Sequence, residues 1–338
     1  MSLELLLHFL KFDIQTNSLG IEEWIERLYV SNDLRPQFPD KFASLKLFLE
    51  RRDAPEAASI CPPGHGVFAE TNLCNARCYY EDGRFFSSNH GDYWHEMEYN
   101  LNTDAIRANL GGKYLKSGQA IISNMMRPIL QSFILPFYGL RTLHGAVLCK
   151  DGRTIFFHGR GGMGKTTTAV QLMEAGYDLL SDDGPFFFID GDFTYVLSSL
   201  DYVHLTENTL RLFPKLRTLV VGAKDNRGKV AVRISDLKNG GAWTQPHRIT
   251  HYIQLLRRPD VVAPRLKKIS RNISHRTLLD ESMVIFRRAP FRGTAYPFAE
   301  YSEFVFDLLT KMVQGAETFE LEFADHHLPE IPALLDHL

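Results

Sequence analysis

The stretch HGRGGMGKTTTAV, residues 158–170, holds the densest chemistry of the chain. Through Gly159, Gly164, Lys165 and Thr166 it fits G-x-x-x-x-G-K-[ST], the loop whose backbone N–H groups cradle nucleotide phosphates. Through Gly159, Gly161 and Gly164 it also fits G-x-G-x-x-G, the dinucleotide fingerprint. Both motifs follow a strand and open a helix, so neighbouring chemistry has to separate them. A dinucleotide site wants small or apolar residues after its third glycine, because the helix packs closely on its strand there. Here Lys165, Thr166, Thr167 and Thr168 follow. A lysine at that point suits β/γ-phosphates, and a hydroxyl directly after it can ligate Mg²⁺. The phosphate-loop reading is preferred, with Gly159, Gly161, Gly162, Met163, Gly164, Lys165, Thr166 and Thr167 around ATP and Thr166 on the metal. An NAD(P)-dependent dehydrogenase stays as the alternative, since Asp182 and Asp183 stand near the ~20-residue distance at which an acid holds a ribose.

Elements must bring these residues together. A helix from Thr166 to Ala175 carries the chain ~15 Å away from the phosphates, so the strand-like YDLLSDD has to return. A right-handed crossover that lays it in parallel beside TIFFHG lands its C-terminal end at the loop, where α/β sheets place ligands. Asp182 and Asp183 then face the γ-phosphate, one toward a metal and the other toward an incoming hydroxyl. Paired acids at a buried strand end are costly without such partners. Upstream, LHGAVLC and TIFFHG flank KDGR. If Asp151 and Gly152 make a two-residue turn, Lys150 pairs with Arg153 and His144 falls opposite Gly159. That imidazole is either a group of the site or a structural histidine satisfied by backbone.

Residues 1–140 mix strand-like runs (LKFDI, LKLFLE, RCYYEDGRFFSS) with helical ones (IEEWIERLYV), an α+β region expected to bind substrate or to oligomerise. EDGR marks a hairpin, with Tyr79, Tyr80, Phe85 and Phe86 as packing residues around it. Ser117 caps an apolar helix that runs toward PFYG, and a boundary near residue 140 opens the catalytic region 141–338. Beyond the aspartates PFFFID reads as a strand, followed by strands at ITHYIQLL, SMVIF and TFELEF and a helix at EYSEFVFDLLTKMVQG.

The 338 residues are 44% hydrophobic and 23% charged, the balance of a globular chain with one large domain or two smaller ones. A formal net charge of -2 gives no basic field for a nucleic acid or an anionic membrane. Four cysteines, Cys61, Cys74, Cys78 and Cys149, are too few and scattered for a disulfide framework and fit a reducing compartment. Cys74 and Cys78 have no second pair at zinc-finger spacing, so no metal ligand is taken from them. MSLELLLHFL lacks the basic start and cleavage site of a signal peptide, and no apolar run approaches the ~20 residues of a membrane helix. A soluble, cytoplasmic protein is expected, with formation of a homo-oligomer left open.

The segment LHGAVLCKDGRTIFFHGRGGMGKTTTAVQLMEAGYDLLSDD resembles the core of HPr kinase/phosphorylase and related bacterial kinases of the phosphoenolpyruvate carboxykinase-like fold. The likeness rests on LHG, the phosphate loop, EAGYDLLSDD and their spacing. It implies an α/β catalytic region with a mixed P-loop sheet, ATP and Mg²⁺ as cofactors, and His144 near the reacting phosphate beside Lys165. It further implies Asp182 as general base toward a hydroxyl, with Asp183 and Thr166 serving the metal. The chain departs from that family where Lys165-Thr166-Thr167 replaces lysine, serine and glutamate. For the family's later arginine-bearing loop, LLRRPD and FRRAPFRGTAY offer Arg257, Arg258, Arg288 and Arg292. The expected reaction is γ-phosphate transfer to a hydroxyl of a peptide, protein or small metabolite, with a non-catalytic ATP-binding sensor as a further alternative.

Overall fold

A computed structural model describes residues 2–7, 10–17, 43–51, 67–70, 75–81, 83–89, 94–112, 135–182, 184–198, 202–221, 224, 228–237, 245–282 and 298–338. The chain is mixed α/β and forms two compact units, Met1–Arg141 with Asp280–Val305, and Thr142–Leu279 with Phe306–Leu338.

Among the described residues the first unit is an eight-stranded mixed sheet. Its strands are β1 (Ser2–Leu7), β2 (Leu10–Thr16), β3 (Ala43–Arg51), β4 (Val67–Glu70), β5 (Asn75–Glu81), β6 (Arg84–Asn89), β7 (His95–Asn100) and β8 (Ala105–Leu110), in the order β1-β2-β3-β8-β7-β6-β5-β4. The EDGR hairpin forms as read, with Glu81 opposite Arg84. Leu45, Leu47 and Leu49 of β3 are fully buried, while Ser44, Lys46 and Glu50 between and beside them are exposed and Phe48 is half-buried, so one face of that strand faces the core. The helical readings at IEEWIERLYV and from Ser117 to residue 134 lie outside the described residues, as do SMVIF after Ser282, Asp183, Arg288, Arg292, Cys61 and Cys74.

The chain passes into the second unit at β9 (Arg141–Thr142). The central strands there are β10 (Gly145–Lys150), β11 (Arg153–His158) and β12 (Asp178–Ser181). A second sheet contains β13 (Phe186–Asp190) and β14 (Phe193–Leu197), and a third contains β15 (Tyr202–Leu205), β16 (Val220–Val221) and β17 (Val230–Arg233). β18 (His247–Arg248) pairs with β14, while β19 (His251–Arg257), β20 (Arg265–Lys268) and β21 (Glu317–Phe323) join the central sheet. Helices run over α1 (Lys165–Glu174), α2 (Glu207–Leu212), α3 (Arg271–Ser282) and α4 (Phe298–Gly315). The strand readings at ITHYIQLL and TFELEF and the helix reading ending at Gly315 are all present.

The central order is β12-β10-β11-β19-β21-β20. Ile155 and Phe157 of β11, Ala146 and Leu148 of β10, Ile253 and Leu255 of β19, and Leu321 and Phe323 of β21 turn one face toward Ala169, Val170 and Leu172 of α1. The opposite face is closed as well, with Phe156 edge-on to Phe187 at 4.9 Å. Burial on both faces explains why TIFF and HYIQLL read as near-continuous apolar runs rather than alternating ones.

One expectation is corrected. YDLLSDD does not lie beside TIFFHG; β12 pairs antiparallel with β10, and β10 stands between it and β11. The cause is the tight turn at Asp151 and Gly152, whose φ angles of 51° and 78° suit a two-residue hairpin. A hairpin fills one edge of β11, and the parallel strand β19 fills the other. β12 still points the same way as β11, so its C-terminal end reaches the same edge of the sheet. No helix among the described residues is long and apolar enough to cross a membrane.

Candidate functional site

β11 ends at His158, and the chain turns through Gly159–Gly164 into the first turn of α1. Gly164 caps that helix at φ 87°, a left-handed conformation that costs an L side chain ~1–2 kcal/mol. A Cβ there would also lie 3.3 Å from the Phe323 ring. Gly164 has no side chain with which to cap the N–H groups of this turn. Backbone donors at a helix N-terminus suit an anion. α1 runs ten residues and closes with Gly176 N–H to Met173 O and Tyr177 N–H to Leu172 O, each 3.0 Å, which reverses the chain into β12.

Lys165 opens the helix and is only 7% exposed. Its Nζ donates to Gly159 O at 2.6 Å and Arg160 O at 3.2 Å, which straps the ammonium across the ring of the loop. Thr166 Oγ1 stands 3.2 and 3.1 Å from the two carboxylate oxygens of Asp182, the residue directly after β12. Asp182 is 4% exposed. A carboxylate so buried is tolerated when hydrogen-bonded, and this hydroxyl is one of its donors. The helix hydroxyl and the returning aspartate therefore meet one residue along from the lysine that closes the loop.

Other expected site residues divide by what their side chains touch. Met163 packs against the hydrophobic core, so only its backbone is offered to the loop. The Thr167 hydroxyl is 3.1 Å from Thr209 Oγ1 on α2, and that hydroxyl is 3.0 Å from the α2 cap Thr206. Gly161 and Gly162 are exposed, and the buried Gly159 packs against Leu255 O.

The hairpin register is as predicted as far as it runs. The ladder pairs Lys150 with Arg153 and ends at Gly145 opposite His158, and the exposed His144 lies in the bend just before that last pair. Gly145 lets the strands meet there. A Cβ on it would lie 2.2 Å from Phe156 Cε2 and 2.5 Å from Phe157 O, and the latter, being backbone, cannot rotate away.

The sequence reading passed over His158 and Asp325. His158 is buried at the end of β11, with Nδ1 3.1 Å from Tyr252 OH on β19. Its signal was present only as the residue before Gly159, where it reads as one more strand position. Asp325 follows β21 and pairs with Arg257, a contact between distant segments that spacing cannot reveal.

The donor set suits a hard cation. A hydroxyl and a carboxylate are oxygen ligands of the kind Mg²⁺ takes, usually with phosphate oxygens and water completing the shell. Among the described residues no group of three or more His, Cys, Asp or Glu could hold a metal by itself.

No family model and no curated protein matches the chain. Among solved structures it is similar to the Hpr(Ser) kinase/phosphatase from Coxiella burnetii, at 14% identity and a TM-score of 0.30, over 58% of this chain and 95% of that one.

Proposed function

We propose that the chain is an ATP-dependent kinase that transfers the γ-phosphate to a hydroxyl of a peptide, a protein or a small metabolite. The second unit is its catalytic region, a P-loop mixed sheet of the phosphoenolpyruvate carboxykinase-like, HPr kinase type. Residues 1–140 bind the acceptor or join copies of the chain. The observation that carries this reading is the contact of Thr166 with Asp182 beside the strapped Lys165. An adenine dinucleotide site has no use for a buried lysine at the first turn, whereas a phosphate chain does.

Phosphoryl transfer needs little covalent help from protein, so the residues act by charge and position. Backbone N–H groups of Gly161, Gly162, Gly164, Lys165 and Thr166 cradle the phosphates, Lys165 neutralises their charge, and His144 acts near the reacting phosphate. Mg²⁺, when bound, supplies charge neutralisation at the β/γ-phosphates. Thr166 and Asp182 are its partners on this chain, because hydroxyl and carboxylate already converge. The base that takes the acceptor proton is then Asp183, the reverse of the division that the family resemblance implies.

Incubation with γ-labelled ATP and panels of peptide and small-molecule hydroxyl acceptors, read by mass spectrometry, tests the reaction. Asp182→Asn is expected to raise the Mg²⁺ concentration needed for transfer. Asp183→Asn is expected to keep Mg²⁺-ATP binding while losing ~10²-fold in rate, as removal of a positioned base does. The opposite pattern reverses the two roles, and full activity in both variants rules out the mechanism.

A further inference from the structure

We propose that Arg257, which belongs to no part of the loop motif, is the positioning residue of the Gly159–Gly164 loop, tying it from outside to the Asp325 carboxylate. The inference rests on the nucleotide-binding reading above. Arg257 is the last residue of β19; its Nη1 donates to Gly162 O at 3.2 Å and its Nη2 to Asp325. Its stem lies along the loop, since a Cβ on Gly164 would be 3.8 Å from Arg257 Cδ.

The anchor is rigid on its own side. Arg257 is in register with Phe323 at the end of β21, and Arg258 N–H continues that ladder to Phe323 O at 2.8 Å. Asp325 follows two residues later on the same strand exit. The guanidinium thus comes from the end of β19 and the carboxylate from the 3-10 turn that follows β21, its parallel neighbour, while the loop they hold contains adjacent exposed glycines, Gly161 and Gly162. Glycines bring no stiffness and lose more conformational freedom on ordering than other residues. An outside brace supplies that order in advance.

The brace reaches the loop lysine through an unbroken polar chain. A trans peptide points its C=O and its N–H in opposite directions, so a donor on Gly162 O fixes the Met163 N–H on the far side. Met163 N–H donates to Arg160 O at 3.2 Å, and that same carbonyl accepts from Lys165 Nζ at 3.2 Å. Asp325, Arg257, the Gly162–Met163 peptide, Arg160 O and Lys165 are linked in series. An arginine suits the post because its planar fork grips two partners at once, which an ammonium on a flexible stem does not do in fixed geometry.

A simpler role would give the opposite sign. If Arg257 served only as one more positive charge for an anion, Asp325 would be its competitor, and removing Asp325 would strengthen binding. If the pair is a brace, removing either member weakens it.

Calorimetric titration of the full chain with Mg²⁺-ATP and with Mg²⁺-pyrophosphate distinguishes these outcomes. Arg257→Ala is expected to bind both about tenfold or more weakly, the loss of one charge-assisted hydrogen bond. Asp325→Ala is expected to weaken binding too, and the double variant to be no worse than Arg257→Ala alone, since members of one network are not additive. Arg257→Lys does not restore binding. Thermal midpoints move little, because an exposed ion pair adds little stability, so reduced affinity with an unchanged midpoint excludes a purely structural role. Parent binding that persists unchanged in Arg257→Ala overturns the brace while leaving the nucleotide reading intact, as does tighter binding by Asp325→Ala. A parent that binds neither ligand overturns both.

Discussion

Replacing Gly161 with alanine separates what the loop does from what holds it together. A Cβ added there meets no heavy atom of the described residues within 4 Å, and the backbone lies outside the left-handed region that strains L residues. The ligand-free fold should therefore tolerate the change within about ±0.5 kcal/mol. Reduced freedom of the unfolded chain adds about 0.4–1 kcal/mol in its favour. If phosphates lie against this backbone, the same methyl stands where a phosphate oxygen must approach, the close contact that glycine permits. Forcing an extra methyl into a tight contact costs about 1–3 kcal/mol, or roughly tenfold to a hundredfold in affinity. Gly164→Ala is the contrast, because φ 87° and the Phe323 ring at 3.3 Å strain it with or without ligand. It should lose ~1–2 kcal/mol of stability. Urea denaturation gives the stability term and ATP titration the binding term. Unchanged stability together with unchanged ATP affinity in Gly161→Ala would refute the claim that a ligand approaches this backbone, and a lowered urea midpoint would contradict the open space around it.

Gly145→Ala should cost ~1–3 kcal/mol or more, since its Cβ meets the fixed Phe157 carbonyl, and a parent-like urea midpoint would show that the strands can part there. His144→Ala should lower turnover more than ATP affinity; a variant that matches the parent in both makes His144 structural. Burial holds His251 below the ordinary histidine range, with Arg153 acting the same way and the Glu317 carboxylate opposing. The unfolded chain therefore takes up this proton first, so the stability contributed by the neutral ring is present above about pH 6.5 and is lost as pH falls below it. His251→Gln should flatten the dependence of thermal midpoint on pH between about 7 and 5, and an unaltered curve contradicts the assignment.

The loop and its hairpin were legible because their signals are local. Asp151-Gly152 dictates a tight turn, the turn dictates the register, and the register brings Gly145, the residue after His144, opposite His158. Lys165 and Thr166 declare themselves by position in a motif, and a helix of known rise obliges Asp182 to return to them. The neighbour of β11 was misjudged from the same local facts. A crossover rule says that a strand returns to the loop's edge of the sheet, but the hairpin partner β10 had already taken the adjacent place. Contacts between segments far apart in sequence were illegible. Asp325 on Arg257 joins residues 68 positions apart, and nothing in LLRRPD points to Asp325 as a partner. His158 was hidden for a different reason, since a buried polar residue at a strand end looks like ordinary strand alternation until Tyr252 is found beside it.

The most direct measurement is a calorimetric titration of the parent chain and of Lys165→Ala with ATP, each with and without Mg²⁺, alongside NADH as a control. The buried lysine strapped across Gly159 and Arg160, next to Thr166 and Asp182, predicts ATP binding by the parent that strengthens with Mg²⁺, its loss in Lys165→Ala, and no binding of NADH. Binding of ATP that Lys165→Ala leaves intact, or binding of NADH in place of ATP, contradicts the account.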